Sequence, residues 1–132
     1  MTARSRPSNI FKTFSEKETR SLAASFASDL RGGEIVLLRG PIGAGKTVFV
    51  KGLARALGCR KSPISSSFNI MRRYAGRLGL YHFDLFRLEP EELGEISLED
   101  YLDDDSVMVI EWPECAEKFY SRFDRTEIEI NL

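Results

Sequence analysis

Residues 40–47 read GPIGAGKT, and this octet restricts the chain more than any other stretch. It satisfies G-x-x-x-x-G-K-[ST], a spacing with a physical reason. Glycines let the backbone wrap a phosphate with its N–H groups pointing inward; the lysine reaches the β- and γ-phosphates, and the hydroxyl binds Mg²⁺. Here Gly40, Gly43, Ala44 and Gly45 supply the wrap, Lys46 the cation and Thr47 the hydroxyl. Such a loop needs a strand before it and a helix after it, so that the helix's positive end meets the anion. Both are legible. EIVLLR at 34–39 is a short apolar run with Ile and Val, which reads as a buried strand. KTVFVKGLARAL reads as a helix ended by Gly58, with Val48 in its first turn.

The flanking chain alternates between helix and strand signals. SEKE at 15–18 is a capping box, and Leu22, Phe26 and Leu30 recur every fourth residue, so 16–31 reads as an amphipathic helix stopped by Gly32-Gly33. SSFNIMRRY (66–74) and LGLYHFDLFRL (78–88) flank Ala75-Gly76-Arg77 and read as an antiparallel pair. In the acidic stretch that follows, Pro90 and Ser97 both open short helices. VMVIEW (107–112) is a second buried strand, Pro113 starts another short helix, and Ile128, Ile130 and Leu132 alternate with polar residues as in a half-exposed strand. The order predicts a three-layer α/β domain with a largely parallel core sheet and an inserted antiparallel hairpin. Residues 1–10 read as a flexible arm and 11–132 as one domain.

Composition removes several classes of function. With 42% hydrophobic and 30% charged residues the chain is globular, and a formal net charge of −1 gives no basic surface for DNA. No apolar run approaches a membrane span. Cys59 and Cys115 form no CxxC pair, which fits a reducing cytoplasm and inert thiols. There is no NKxD for guanine, no arginine-rich lid of a nucleoside kinase, and no large helical insertion of a transport ATPase. What remains is a small ATP-binding protein. Its metal needs an acid nearby, and Asp84 and Glu111 are the candidates; the end of a core strand beside the loop suits Glu111. His82 either orients Asp84, touches the nucleotide or is a strand histidine satisfied by backbone. Arg87 reads as a structural ion pair rather than the alternative, a γ-phosphate contact.

From about Phe14 to Glu117 the chain resembles the TsaE family, also called YjeE: small bacterial P-loop ATPases needed to make threonylcarbamoyladenosine in tRNA. The resemblance is carried by GPIGAGKTVFVKGLARALG, SSSFNIMRRY, HFDLFRLEPEEL and IEWPE, in that order. It implies a three-layer P-loop NTPase fold binding ATP or ADP with Mg²⁺. Lys46 and Thr47 match the family's phosphate and Mg²⁺ residues, Glu111 its second Mg²⁺ contact, Asp84 the aspartate needed for hydrolysis, and Trp112 the tryptophan close to the nucleotide. Ser65-Ser66-Ser67-Phe68 stands where the switch-like loop usually reads SPTF, so Ser66 and Ser67 replace proline and threonine; Phe86 replaces the tyrosine of DLYR. Losing the proline frees one φ angle. Many relatives carry a last strand that this chain is expected to lack.

The resemblance further implies a weak, cytoplasmic, Mg²⁺-dependent ATPase that joins the TsaD and TsaB proteins and meets tRNA only through that complex. ATP binding favours assembly, and hydrolysis resets the complex. No arginine finger flanks the loop, so charge stabilisation is expected from the partner. Arg72, Arg73 and Arg77 meet an acidic partner face or tRNA phosphates, or else form a solvated strand edge. Phe11, Phe14 and residues 15–19 are candidates for the adenine side. Two other functions stay open: a nucleotide-gated assembly module in which hydrolysis is incidental, and a small-molecule phosphotransferase, for which the chain offers no clear acceptor pocket or lid.

Overall fold

The computed structural model describes residues 9–41, 45–60, 64–65 and 70–131. In chain order the elements are β1 (Asn9–Thr13), α1 (Glu16–Asp29), β2 (Ile35–Arg39), α2 (Lys46–Ala56), β3 (Ile64–Ser65), β4 (Met71–Tyr74), β5 (Gly79–Asp84), α3 (Pro90–Leu93), a 3₁₀ turn at Leu98–Tyr101, β6 (Ser106–Glu111), a 3₁₀ turn at Pro113–Ala116, α4 (Glu117–Tyr120) and β7 (Thr126–Ile130). The strands form one sheet in the order β1-β7-β2-β6-β5-β4-β3. β1, β7, β2, β6 and β5 run parallel, and β4 pairs antiparallel with both β5 and β3. The α/β architecture with a largely parallel core is therefore as expected.

Three details differ from the expectation. The expected antiparallel pair across Ala75-Gly76-Arg77 is there, as β4 and β5, but its second strand, Gly79–Asp84, is not confined to the hairpin. It lies in the parallel core, with Leu80, Tyr81 and Phe83 paired to Val107, Met108 and Ile110, and only β4 departs from the common direction, since β3, antiparallel to β4, runs with the rest. β1 begins at Asn9, inside the stretch read as an arm, and pairs from Asn9↔Thr126 to Thr13↔Ile130. β7 consequently lies between β1 and β2, an interior place for what reads as a half-exposed strand; Ile128 and Ile130 are fully buried while Glu127 and Glu129 face a partly open side.

Two apolar layers sandwich the sheet. On one face Val36, Leu38, Leu80, Val107, Val109 and Ile128 pack under α1 and α2; on the other Ile35, Leu37, Phe83, Met108 and Ile110 pack under the short segments between β5 and β7. α1 starts as its sequence dictates, since Ser15 Oγ accepts from Glu18 N at 3.1 Å and Glu18 Oε1 accepts from Phe14 N at 3.0 Å. Its buried line, however, is Thr19, Ala23 and Ala27, with Leu22 and Phe26 only half-buried. Small residues let the two long helices close: a Cβ on Gly52 of α2 would stand 3.2 Å from Ala23 Cβ. β6 is buried at all six positions, as a central parallel strand must be.

Candidate functional site

In a parallel sheet all strands deliver their carboxyl ends to one edge, and a loop that follows such a strand opens there. β2 ends at Arg39, and α2 begins at Lys46 after the loop 40–45. Gly45 stands at the helix N-cap with φ 91° and ψ 16°, a left-handed conformation that only glycine adopts freely, and no side chain caps the helix. Its first amides are thus left for an anion. Ile42, Gly43 and Ala44, at the centre of the wrap, lie outside the described residues.

Lys46 is the first residue of α2 and only 6% exposed. Its Nζ donates to Gly40 O at 2.8 Å and stands 3.8 Å from the centre of the Trp112 ring. Burial pulls its pKa below the ordinary lysine value, against the opposing pull of Glu111, Asp84 and Glu114. A buried cation ringed by carboxylates and an aromatic face is held ready for a polyanion. Thr47 is exposed and Val48 half-buried in the same first turn.

The two acids expected near a metal are neighbours. Glu111 closes β6 and is registered against Leu38 of β2 on one side and Asp84 of β5 on the other. Glu111 is 8% exposed, whereas Asp84 is exposed and accepts through Oδ1 from Phe86 N at 3.1 Å. The backbone holds both strand ends: Leu85 N donates to Glu111 O at 3.1 Å, tying β5 to β6, and Asp84 N to Ile70 O at 2.8 Å, tying β5 to the start of β4. His82 does not orient Asp84, and neither is it satisfied by backbone. Its Nε2 lies 2.5 Å from Glu111 Oε2. Nothing in YHFDL reveals this, because the partner is 29 residues away and depends on the β5–β6 register.

Trp112 is the only non-glycine residue with positive φ among the described residues, at φ 53° and ψ 58°. A left-handed tryptophan costs about 1–2 kcal/mol. The turn lays its ring on Lys46 while its other neighbour, Phe86, lies 4.7 Å away between ring centres. The exposed Phe86 and Arg87 then open into a cleft of about 690 Å³ that also borders Asp84. Arg87 forms no ion pair among the described residues, contrary to its expected structural role.

The three hairpin arginines do not act together. Arg72 is registered against His82 and so belongs to the face of Glu111; Arg73 stands 5.9 Å from the Tyr81 ring on the other face; Arg77 donates to Ala27 O of α1 at 3.1 Å. Ser66, Ser67 and Phe68 lie outside the described residues. At the end of β1, Phe11, Ser15, Lys17 and Glu18 line an open groove of about 520 Å³, while Phe14 points outward at 62% exposure. Cys59 and Cys115 are half-buried, and burial raises both thiols above the usual range, as befits unreactive sulfur.

Among the described residues no three His, Cys, Asp or Glu gather as a metal cluster. That donor set still fits Mg²⁺. Mg²⁺ keeps several waters and takes one or two protein oxygens beside the phosphates, which the Thr47 hydroxyl and the Glu111 carboxylate can supply. No helix among the described residues is long and apolar enough to cross a membrane.

Comparison with known proteins agrees with this geometry. Residues 13–132 match the family model described as threonylcarbamoyl adenosine biosynthesis protein TsaE. Curated relatives named tRNA threonylcarbamoyladenosine biosynthesis protein TsaE include one from Bacillus subtilis, 35% identical over 82% of this chain and 68% of its own. Another, from a Nostoc species, is 36% identical over 75% of this chain and 64% of its own. A third, from Rickettsia conorii, is 42% identical over 89% and 67%. The chain thus spans about two thirds of the length of these relatives. A crystal structure of Bacillus YdiB superposes with a TM-score of 0.70 at 31% identity, covering 90% of this chain and 73% of that one. Sheet order, loop and strand-end acids thus occur in a sequence that the family model matches almost from end to end, and the chain belongs to the TsaE family.

Proposed function

We propose that this chain binds ATP and Mg²⁺ at the Gly40–Thr47 loop and hydrolyses ATP slowly as a subunit of the system that forms threonylcarbamoyladenosine in tRNA. In this reading TsaD and TsaB are its partners, ATP binding favours their assembly, and hydrolysis resets it. One observation carries the nucleotide half: the buried Lys46 ammonium at the start of α2, flanked by Glu111 and Asp84 at the ends of adjacent strands. The relatives' name carries the tRNA half.

Each residue has a task. Lys46 exchanges the Gly40 carbonyl for phosphate oxygens. Thr47 and Glu111 hold Mg²⁺, which when bound neutralises charge on the β- and γ-phosphates. Asp84, exposed beside Glu111, orients the attacking water. Trp112 lies against the phosphate end, and the groove at Phe11 and Ser15 receives the base. Arg72 shares this face but stands beyond His82 rather than at the loop. A slow intrinsic rate, raised by a partner, follows.

The test is ATP hydrolysis by the chain alone and with purified TsaD and TsaB. A low rate that rises with the partners, and that Lys46→Ala lowers by about 10²–10³-fold, supports the reading. Asp84→Ala is expected to abolish turnover while keeping ATP binding. If Asp84→Ala still sustains full tRNA modification, hydrolysis is incidental and the chain is a nucleotide-gated assembly module.

A further inference from the structure

Glu111 ends β6 with one oxygen engaged and the other open. Oε2 lies 2.5 Å from His82 Nε2, and among the described residues nothing else hydrogen-bonds this carboxylate. The pairing follows from register. Asp84 faces Glu111 across β5 and β6, and His82, two residues earlier, shares that face opposite Val109. The imidazole therefore stands one step inside the sheet from the carboxylate and closes it off from behind.

The surroundings argue that this histidine is kept for its contact. His82 and Glu111 are 7% and 8% exposed, on a face otherwise built from Val36, Leu38, Leu80, Val107 and Val109. A carboxylate only accepts, so Nε2 donates. Nδ1 is buried and has no partner. Leaving a buried polar atom unpaired costs about 1–3 kcal/mol, which an apolar side chain would avoid. A hydrogen bond to an ionised group is worth roughly twice a neutral one, and it fixes a side chain that would otherwise rotate. Carboxylates that bind metals are themselves held by such partners.

We propose that His82 is a positioning residue for the metal site: its Nε2–H pins Glu111 Oε2 and so fixes the free oxygen, Oε1, for Mg²⁺ of the bound nucleotide. The proposal rests on the reading of Glu111 as a metal contact.

The test separates metal from nucleotide. Mn²⁺ binding to the ADP-loaded chain is followed by electron paramagnetic resonance, and metal-free ADP binding by a fluorescent ADP analogue. His82→Phe removes the donor and keeps a ring; it is expected to weaken Mn²⁺ by about 10–100-fold and leave metal-free ADP affinity unchanged. His82→Gln, whose amide reaches Oε2, recovers most of the loss, and the shorter His82→Asn does not. If His82→Phe fails to fold, the Gln and Asn pair decides. Mn²⁺ affinity within about threefold of wild type in His82→Phe, an equal fall in metal-free ADP affinity, or no difference between Gln and Asn overturns the role. Glu111→Gln distinguishes the two levels. If it binds Mn²⁺ like wild type, the metal reading of Glu111 itself fails and takes this role with it; if it weakens Mn²⁺ while His82→Phe does not, only the role of His82 fails.

Discussion

The two faces of the sheet are covered by different means. One carries α1 and α2, of 14 and 11 residues; the other carries α3, α4 and two 3₁₀ turns of four residues each. Strand parity places His82 and Glu111 with the first face, where Leu38, Leu80 and Val109 are buried, and α2, which Lys46 opens, packs on that face. The difference teaches where a small domain of this kind puts its precision. Side chains that must be aimed within a few tenths of an ångström stand on long elements packed through small residues such as Ala23 and Gly52. The second face only has to exclude water, and short segments studded with Phe119, Tyr120 and Leu98 do that.

This contrast is breakable. Phe49 of α2 is fully buried, and Phe49→Ala is expected to cost about 3–5 kcal/mol in urea unfolding. Phe119 of α4 is 7% exposed beside Phe123, and its neighbours can settle into the space. Phe119→Ala is expected to cost about half as much, because the penalty grows with the cavity that stays open. Equal costs would show that the short segments are as rigid as the helices, and the contrast would fail.

A smaller effect tests how the first face is fastened to the rest. Gly32, just past α1, has φ 107°, and a Cβ there would meet Asp104 O at 1.8 Å. Gly32→Ala is expected to cost at least about 1–2 kcal/mol from the left-handed backbone. Calorimetry showing no loss would mean that the turn at Asp104 moves freely, and that β6 does not need this contact to keep Glu111 in place.

How much of this was legible follows the same division. The long helices, the strands at 35–39 and 106–111 and the glycine turn at Gly45 that opens α2 were readable, because their signals are local: a cap at Ser15, a left-handed glycine, an apolar run. β1 was not. NIFKT carries too weak an alternation, and its place is fixed by pairing with Thr126–Ile130, more than a hundred residues away. The site divides likewise. Lys46, Thr47, Asp84 and Glu111 were named from motif and resemblance, but the partner of His82 and the dispersal of Arg72, Arg73 and Arg77 required the register. Register is a property of two strands, and neither strand alone encodes it.

Smaller still is the cap of α1. Ser15→Ala removes the acceptor of Glu18 N and is expected to cost about 1 kcal/mol. If the contrast between the faces is sound, this loss spreads to α2, since α1 and α2 pack as one layer. Hydrogen exchange should then rise in α2 as well as α1. Exchange confined to α1 would show that the two helices open separately.

The smallest effects come from the arginines of the turn. Arg77 donates to Ala27 O near the end of α1, where a cation also meets the helix's negative end, so Arg77→Ala is expected to cost about 0.5–1 kcal/mol. Arg73 lies over Tyr81 on the second face at an exposed position, and Arg73→Ala should change stability by no more than about 0.5 kcal/mol. The order matters more than the size. Arg77 ties the turn to the long-helix face, through a chain whose own backbone, Arg77 N to Leu57 O at 2.9 Å, also docks on the end of α2. Arg73 meets Tyr81 on the face of short segments. If thermal melts rank Arg73→Ala above Arg77→Ala, the β4–β5 turn is anchored from the wrong side, and the long-helix face loses its claim to organise the molecule.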